Sequence, residues 1–197
     1  MILAQTDTWF AGGPGPVIPP MEYDNIRDFA KKHEERGDYI HKYGFTLLDQ
    51  NMIKDMLPHG PFIEVGAGTG ALANRLAHYG ADIFATDSHH NHYDFIVSDH
   101  YYVEKMNASK AVKNYPDRTV IMSWPTLESR WAFYALEVMS PGQKLIHIGE
   151  GRGGCTADNA FHNKLRKEFT EVDHIPIRRW YGIHDNCDVY IKKGRKK

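Results

Sequence analysis

The stretch Phe62-Ile63-Glu64-Val65-Gly66-Ala67-Gly68-Thr69-Gly70 constrains this chain more than any other. An apolar run holding one acidic residue leads into three glycines at alternate positions. Behind them, Leu72, Ala73, Leu76 and Ala77 stand at helical spacing. Together they predict a strand, a tight loop and a helix. Glycine is needed where a loop takes φ > 0 or lets a ligand come close to the backbone. The helix behind such a loop starts with unpaired N–H groups that suit a polar ligand. Gly80 is placed to stop that helix. A second apolar strand, Ile83-Phe84-Ala85-Thr86, runs into Asp87.

Asp87 stands 21 residues after Gly66. A carboxylate at the tip of a second strand is placed to accept both ribose hydroxyls of a nucleoside. Three readings fit the glycines. Gly66-Ala67-Gly68-Thr69-Gly70-Ala71 matches the dinucleotide fingerprint in its G-x-G-x-x-A form. A Gly-rich turn without a ligand is the blandest. The third rests on Glu64, two residues before the first glycine, and on the G-x-G-x-G run. A pyrophosphate disfavours a nearby carboxylate, whereas a cationic ligand tolerates one. Glu64, the three glycines and Asp87 resemble motifs I and II of the class I S-adenosylmethionine (SAM)-dependent methyltransferases. That resemblance spans residues 40–193 approximately.

The whole chain narrows the frame. Its 197 residues make one domain with room for a sizeable core. A net charge of -1 argues against a strongly basic nucleic-acid binder. Two cysteines, Cys155 and Cys187, are too few for a disulfide framework and imply a reducing, cytoplasmic setting. No apolar run approaches the ~20 residues of a membrane span, so no membrane partner is expected. The start Met1-Ile2-Leu3 lacks a basic n-region and does not read as a signal peptide.

Residues 1–38 read as an N-terminal arm and helix, and 39–197 as the ligand-binding domain. The arm carries Trp9 and Phe10, then Gly12-Gly13-Pro14-Gly15-Pro16 and Pro19-Pro20, which excludes regular structure. It is either a loose leader or a strap that lays its aromatics on the domain or on a partner. Asp24 is placed to cap a helix running to Arg36, with Ile26, Phe29, Ala30 and His33 on one face and Gly37 as its stop. Residues 39–45 read as aromatic and irregular. Thr46 then caps a helix over 47–57 that turns Leu48, Met52 and Met56 inward. Beyond Asp87, the run His89-His90-Asn91-His92 suggests a metal, but the fourth ligand and helical spacing of a zinc site are missing, so none is expected.

A weak third strand ends at Asn107, which could also cap a helix over 108–114. The fourth strand, 118–122, ends in Ser123-Trp124-Pro125-Thr126. A helix over 128–139 buries Trp131, Ala132, Ala135, Leu136 and Met139. The fifth strand, 145–148, ends in Gly149-Glu150-Gly151-Arg152-Gly153-Gly154-Cys155-Thr156. Asp158 caps a last helix through Phe161, Leu165 and Phe169. Two strands follow, over 172–177 and 188–192, and Pro176 marks the first of them as an edge.

The methyltransferase resemblance implies an α/β, seven-stranded Rossmann-like sheet of order 3-2-1-4-5-7-6, strand seven antiparallel, with an N-terminal extension. It implies SAM held by Glu64, Gly66, Ala67, Gly68, Thr69, Gly70, Asp87, Ser88, Asn107, Ala108 and Ser123. Asn107 and Ala108 would meet the adenine. Tyr39, Tyr43 and Phe45 would either wall the methionine end or fill the core. Ligands of an open α/β sheet bind at the carboxyl ends of the strands. The segments after strands four, five and six meet the cofactor loop there.

Ser123-Trp124-Pro125 stands where the amino-methyltransferases carry Asn/Asp-Pro-Pro-aromatic, but with Ser for the first residue, Trp for the first proline and Thr126 for the aromatic. The candidate catalytic residues are Ser123 to orient the acceptor, Trp124 as its platform, Pro125 beside them, and Glu150 or His184 as base. The glycine loop 149–156 reads either as a flexible loop or as a phosphate loop lacking the P-loop lysine. Cys155 is a nucleophile only beside a positive group, for which Arg152 is the candidate; a small buried cysteine is the commoner case. Ser-Trp-Pro, Gly-Glu-Gly-x-Gly-Gly-Cys-Thr and Gly-Ile-His-Asp also resemble, together, a small bacterial and viral group of methyltransferase-like proteins.

The expected activity is transfer of a methyl group from SAM to a nitrogen or oxygen of an unidentified acceptor, a small molecule in preference to a nucleic acid. One alternative is a SAM-binding sensor or partner subunit without transfer. The other is a nucleic-acid amino-methyltransferase, for which Lys192, Lys193, Arg195, Lys196 and Lys197 would meet phosphates. The oligomeric state has no signature in the sequence.

Overall fold

The computed structural model describes residues 26–88 and 101–194, with side chains from residue 33 onward. The expectations for Trp9, Phe10, Asp24, the histidines at 89–92 and the tail at 195–197 lie outside these residues. So do the side-chain expectations for Ile26, Phe29 and Ala30.

Helix α1 (Ile26–Tyr43) runs straight through Gly37 and gives way at Gly44, whose φ is 84°. The expected stop at Gly37 does not occur, and residues 39–43 are helical rather than irregular. A glycine inside a helix costs only ~1 kcal/mol. Burial of Tyr39, Ile40 and Tyr43 outweighs that, at ~1.5–3 kcal/mol for each large apolar side chain. His33, expected on the inner face, is exposed. The helix also crosses residues 38 and 39, where the sequence suggested that arm gives way to domain. Thr46 does not cap the next helix. Asp49 does: its Oδ1 accepts the N–H of Asn51 at 2.7 Å and of Met52 at 3.1 Å, and α2 is Gln50–Met56. Leu48, Met52 and Met56 are buried, as their spacing predicted. A 3-10 turn (Leu57–His59) leads into β1 (Phe62–Val65).

The elements that follow are α3 (Ala71–His78), β2 (Ile83–Asp87), β3 (Val103–Lys105), α4 (Ala108–Asn114), β4 (Thr119–Ser123), α5 (Trp131–Val138), β5 (Lys144–Gly149), α6 (Asn159–Glu168), β6 (Phe169–His174) and β7 (Asn186–Lys192). They build one seven-stranded sheet of order β3-β2-β1-β4-β5-β7-β6. β1 pairs in parallel with β2 and β4, and β4 with β5, while β7 runs antiparallel to both β5 and β6. The order and the reversal are those expected. One detail differs: β6 ends at His174, so Pro176 lies beyond it and does not mark the edge. β6 is an edge because β7 alone flanks it.

β1 is buried at every residue, as a central parallel strand covered on both faces should be. Its alternation sends Phe62 to one core and Ile63 and Val65 to the other. The first core holds Tyr39, Leu48, Met52, Met56, Leu72 and Trp180. The second holds Val112, Leu136, Met139, Phe161 and Leu165 from α4, α5 and α6. Asp158 caps α6 as expected, accepting the Phe161 N–H at 2.7 Å. Among the described residues no helix is long and apolar enough to cross a membrane.

Candidate active site

The glycine loop turns on three left-handed residues, Gly66, Gly68 and Gly70, with φ of 70°, 56° and 78°. Two of them have a neighbour as well. A Cβ on Gly66 would come within 2.9 Å of the Trp131 ring, and one on Gly70 within 2.7 Å of Tyr101 Cβ. A Cβ on Gly68 would point into open space. Gly68 is where a ligand can come close to the backbone. Its N–H donates to Asp87 Oδ2 at 2.9 Å, which ties the loop to the tip of β2. The Ala67 N–H donates to the Thr86 carbonyl at 3.0 Å and fixes the same corner.

This corner opens into a cleft walled by Tyr43, Phe45, Thr46, Glu64, Ser123 and Trp124. Glu64 is 2% exposed, and its Oε2 has no hydrogen-bond partner. Burial pushes its carboxyl up to about 8, against the pull of the Ala73 N–H and with a further push from Asp87. A buried, half-partnered carboxyl in a cleft wall fits a ligand that brings positive charge or N–H donors. Ser88 follows Asp87, half-buried. Asn107 is exposed and caps α4 with its Oδ1, which accepts the Lys110 N–H at 2.9 Å; Ala108 begins that helix. Tyr43 and Phe45 line the cleft, but Tyr39 does not. Its hydroxyl accepts the Leu48 N–H at 2.9 Å inside the core.

The opposite wall is assembled from distant segments. Trp124 adopts φ 50°, a conformation rare for a residue with a side chain. It is held there at three points. Its backbone N–H donates to the Ile148 carbonyl at 2.8 Å, and its Nε1–H donates to Asp185 Oδ2 at 2.9 Å. Its ring stacks on Phe45, with centroids 4.9 Å apart and planes 15° apart. Ser123 Oγ lies 2.7 Å from Thr46 Oγ1. Pro125 is buried, and its carbonyl accepts the Ala157 N–H at 2.7 Å.

Glu150 corrects an expectation. Its Oε1 accepts the His184 N–H at 2.8 Å and its Oε2 accepts the Cys155 N–H at 2.7 Å. Burial raises this carboxyl, but those two N–H groups and the Cys155 thiol overcome it and hold it below the usual range. Both oxygens are therefore engaged, and Glu150 clasps the loops after β5 and β6 instead of standing ready as a base. The glycine loop folds around this internal anion. Gly154 lies so close that an added Cβ would come within 2.4 Å of Glu150 Cβ, and the Thr156 hydroxyl donates to the Glu150 carbonyl at 2.6 Å. Against the phosphate-loop reading, the Gly154 and Cys155 N–H groups are already bonded, to the Gly151 carbonyl and to Glu150.

Cys155 is exposed, and its thiol is pushed up, chiefly by its bond to Glu150 and then by desolvation. Arg36 is the positive group that acts on it, and it does not reverse the shift. Cys155 is thus not an activated nucleophile. His184 is exposed and meets Glu150 through its backbone. Of the predicted acceptor-side residues, Ser123 and Trp124 line the cleft, whereas Glu150 and His184 do not.

The sequence reading missed Asp185 and Arg36. Asp185 is 2% exposed, its Oδ1 has no partner, and desolvation raises it to about 6 against the Trp124 bond. It sits in the Gly-Ile-His-Asp segment already singled out, where the histidine drew attention from its neighbour. Arg36 had no local signal; only the fold brings α1 to this wall. Among the described residues no group of three or more His, Cys, Asp or Glu gathers as a metal site.

No protein-family model matches this sequence, and no curated protein does. Solved structures do match in shape. The N-methyltransferase NodS from Bradyrhizobium japonicum, in complex with S-adenosylhomocysteine (SAH), superposes with a TM-score of 0.50 at 12% identity over 95% of this chain and 96% of that one. The 1,6-didemethyltoxoflavin-N1-methyltransferase from Burkholderia thailandensis, with its substrate and SAH bound, gives 0.49 at 15% identity over 92% and 95%. The magnesium protoporphyrin IX methyltransferase from Synechocystis gives 0.45 at 14% identity over 88% and 86%. Sheet order, the reversed seventh strand and the NodS match agree: the fold is that of the class I SAM-dependent methyltransferases.

Proposed function

We propose that this chain is a SAM-dependent methyltransferase acting on a nitrogen or oxygen of a small molecule. The observation that carries the reading is the corner made by Glu64, Gly68 and Asp87: an open approach to a left-handed glycine, between the Glu64 carboxyl of the cleft lining and the Asp87 carboxylate at the tip of β2. Asp87 is placed to take ribose hydroxyls. Glu64 is placed to face the cationic end of the ligand, with an oxygen to spare. Tyr43 and Phe45 close the cleft over that end and exclude water. SAM, when bound, supplies an electrophilic methyl group, and the protein's share is largely positioning.

On the acceptor side, Trp124 and the Thr46–Ser123 hydroxyl pair give the cleft a wall of fixed shape. Asp185 Oδ1 is an unused oxygen, and its titration near neutrality suits a group that takes the proton an acceptor loses. The small-molecule preference is supported by the net charge of -1, which gives a nucleic acid little to bind. Calorimetry with SAH tests the reading. Binding that weakens about ten-fold or more in a folded Asp87→Ala variant is the expected result; NAD binding without SAH binding refutes it.

One observation favours a second reading, SAM binding without transfer. Phe45 already covers a face of Trp124, and Glu150 is committed to its clasp. Tight SAM binding with no SAH formed from any small-molecule pool would decide for it.

A further inference from the structure

We infer that Arg36 and Asp185, set beside the Trp124 ring, form a subsite for an acceptor carrying both a proton-bearing nitrogen or oxygen and an acidic group. The inference rests on the proposed methyltransferase reading and names the substrate class for its acceptor side.

Three observations converge on it. Asp185 is almost fully buried; Trp124 satisfies one of its oxygens, and the other, Oδ1, has no partner. The Arg36 Nε–H is likewise buried and without a partner. A buried polar atom left unpaired costs ~1–3 kcal/mol, so finding one of each kind at one wall calls for a reason. The two groups also sense each other's charge, yet no ion pair of 4.0 Å or less joins them. Both sit at one aromatic ring: Trp124 Nε1 is 2.9 Å from Asp185 Oδ2, and the Arg36 guanidinium carbon is 5.9 Å from the Trp124 ring centroid.

An unpaired acceptor and an unpaired donor that stop short of each other are complementary to a ligand with the opposite pair. An amine or hydroxyl hydrogen meets Asp185 Oδ1, and a carboxylate or phosphate oxygen meets Arg36, whose guanidinium favours such anions. The other charges at this wall are Glu150 and Arg179. Glu150 is spent on its N–H clasp, and Arg179 donates to Asn186 Oδ1 at 2.9 Å. Neither competes for the ligand's groups. Trp124 belongs both to this wall and to the lining of the cofactor cleft, so the two sites share that residue.

The test is a panel of defined probes, measured by calorimetry with and without saturating SAH. Glycine, β-alanine, 4-aminobutyrate and 3-aminobenzoate carry both groups at different separations. Benzylamine carries the amine alone and benzoate the acid alone. At least one of the two-group probes is expected to bind ten-fold or more tightly than both single-group probes. Arg36→Gln should erase that preference and Arg36→Lys should keep part of it, with circular dichroism confirming that each variant is folded. If a variant does not fold, the wild-type ranking still decides. Two-group probes that bind no better than the single-group ones, or a panel in which nothing binds, overturns the subsite. SAH that fails to bind wild type counts against the methyltransferase reading instead, and the panel without SAH then judges the subsite by itself.

Discussion

The two walls of the cleft are built by opposite means. The cofactor wall is local: β1, the glycine turn and the tip of β2 lie within 62–87, and the backbone does most of the shaping. The wall proposed for the acceptor is assembled from far apart. Thr46 meets Ser123 across 77 positions and Trp124 meets Asp185 across 61, and behind the cleft Glu150 meets His184 across 34. A wall made of backbone conformation leaves its mark in glycine spacing. A wall made of side-chain encounters leaves none until the chain is folded.

The largest expected effect belongs to the buried carboxyl of the cofactor wall. Glu64 titrates near 8 in the fold against about 4.5 when free, so the folded state binds the extra proton between those values. Stability should therefore fall as pH rises through that window, by roughly 4–5 kcal/mol at ~1.36 kcal/mol per unit. Between pH 5 and pH 8.5, urea unfolding should show wild type losing ~4 kcal/mol relative to Glu64→Gln; the difference removes the opposing gain from buried His147, lowered to about 3, and the further loss from Asp185, raised to about 6. Parallel profiles for the two proteins would break the contrast between the walls. A ligand ammonium set against Glu64 should also release its proton, so affinity for SAH should climb as pH approaches 8.

Next comes Asp87→Ala, which removes the acceptor of the Gly68 N–H and the acceptor proposed for the ribose. SAH affinity should fall by ~1.5–3 kcal/mol, read by calorimetry. Unchanged affinity in a folded variant would detach the glycine turn from ligand binding. Behind the other wall, Glu150→Gln keeps one acceptor oxygen but sets its NH2 against the second backbone N–H, so it should destabilise the protein by ~1–3 kcal/mol, with SAH affinity little changed. A loss of SAH affinity equal to that of Asp87→Ala would show that the walls are not separable. The smallest effect is Gly68→Ala. Its open surroundings spare it a clash, so only the left-handed strain remains, ~1 kcal/mol in unfolding free energy. Gly66→Ala adds the Trp131 contact and should cost more.

The sheet was largely legible in the sequence. Apolar runs bounded by turn residues marked β1, β2, β4 and β5, and Asp158 announced its helix by the capping rule. The misreadings share a cause. Gly37 looked like a stop because local propensity favours one, but Tyr39, Ile40 and Tyr43 had a core to enter. Thr46 looked like a cap because hydroxyls cap helices, yet its hydroxyl was taken by Ser123. Glu150 looked like a base because it stood at a strand end; nothing in the sequence told that its own loop would close on it. In each case a contact made only in the fold outweighed a local preference.

The ledge formed by Tyr43, Gly44, Phe45 and Thr46 has a consequence for how a bound ligand would be felt elsewhere. It is both part of the cleft lining and the direct continuation of the 18-residue helix α1. A ligand that steadies the ledge steadies the last turn of that helix, because the Gly44 N–H donates to the Ile40 carbonyl at 3.0 Å. Occupancy at one end of the sheet thus becomes slowed amide exchange in a helix that needs no contact with the ligand beyond its own final turn.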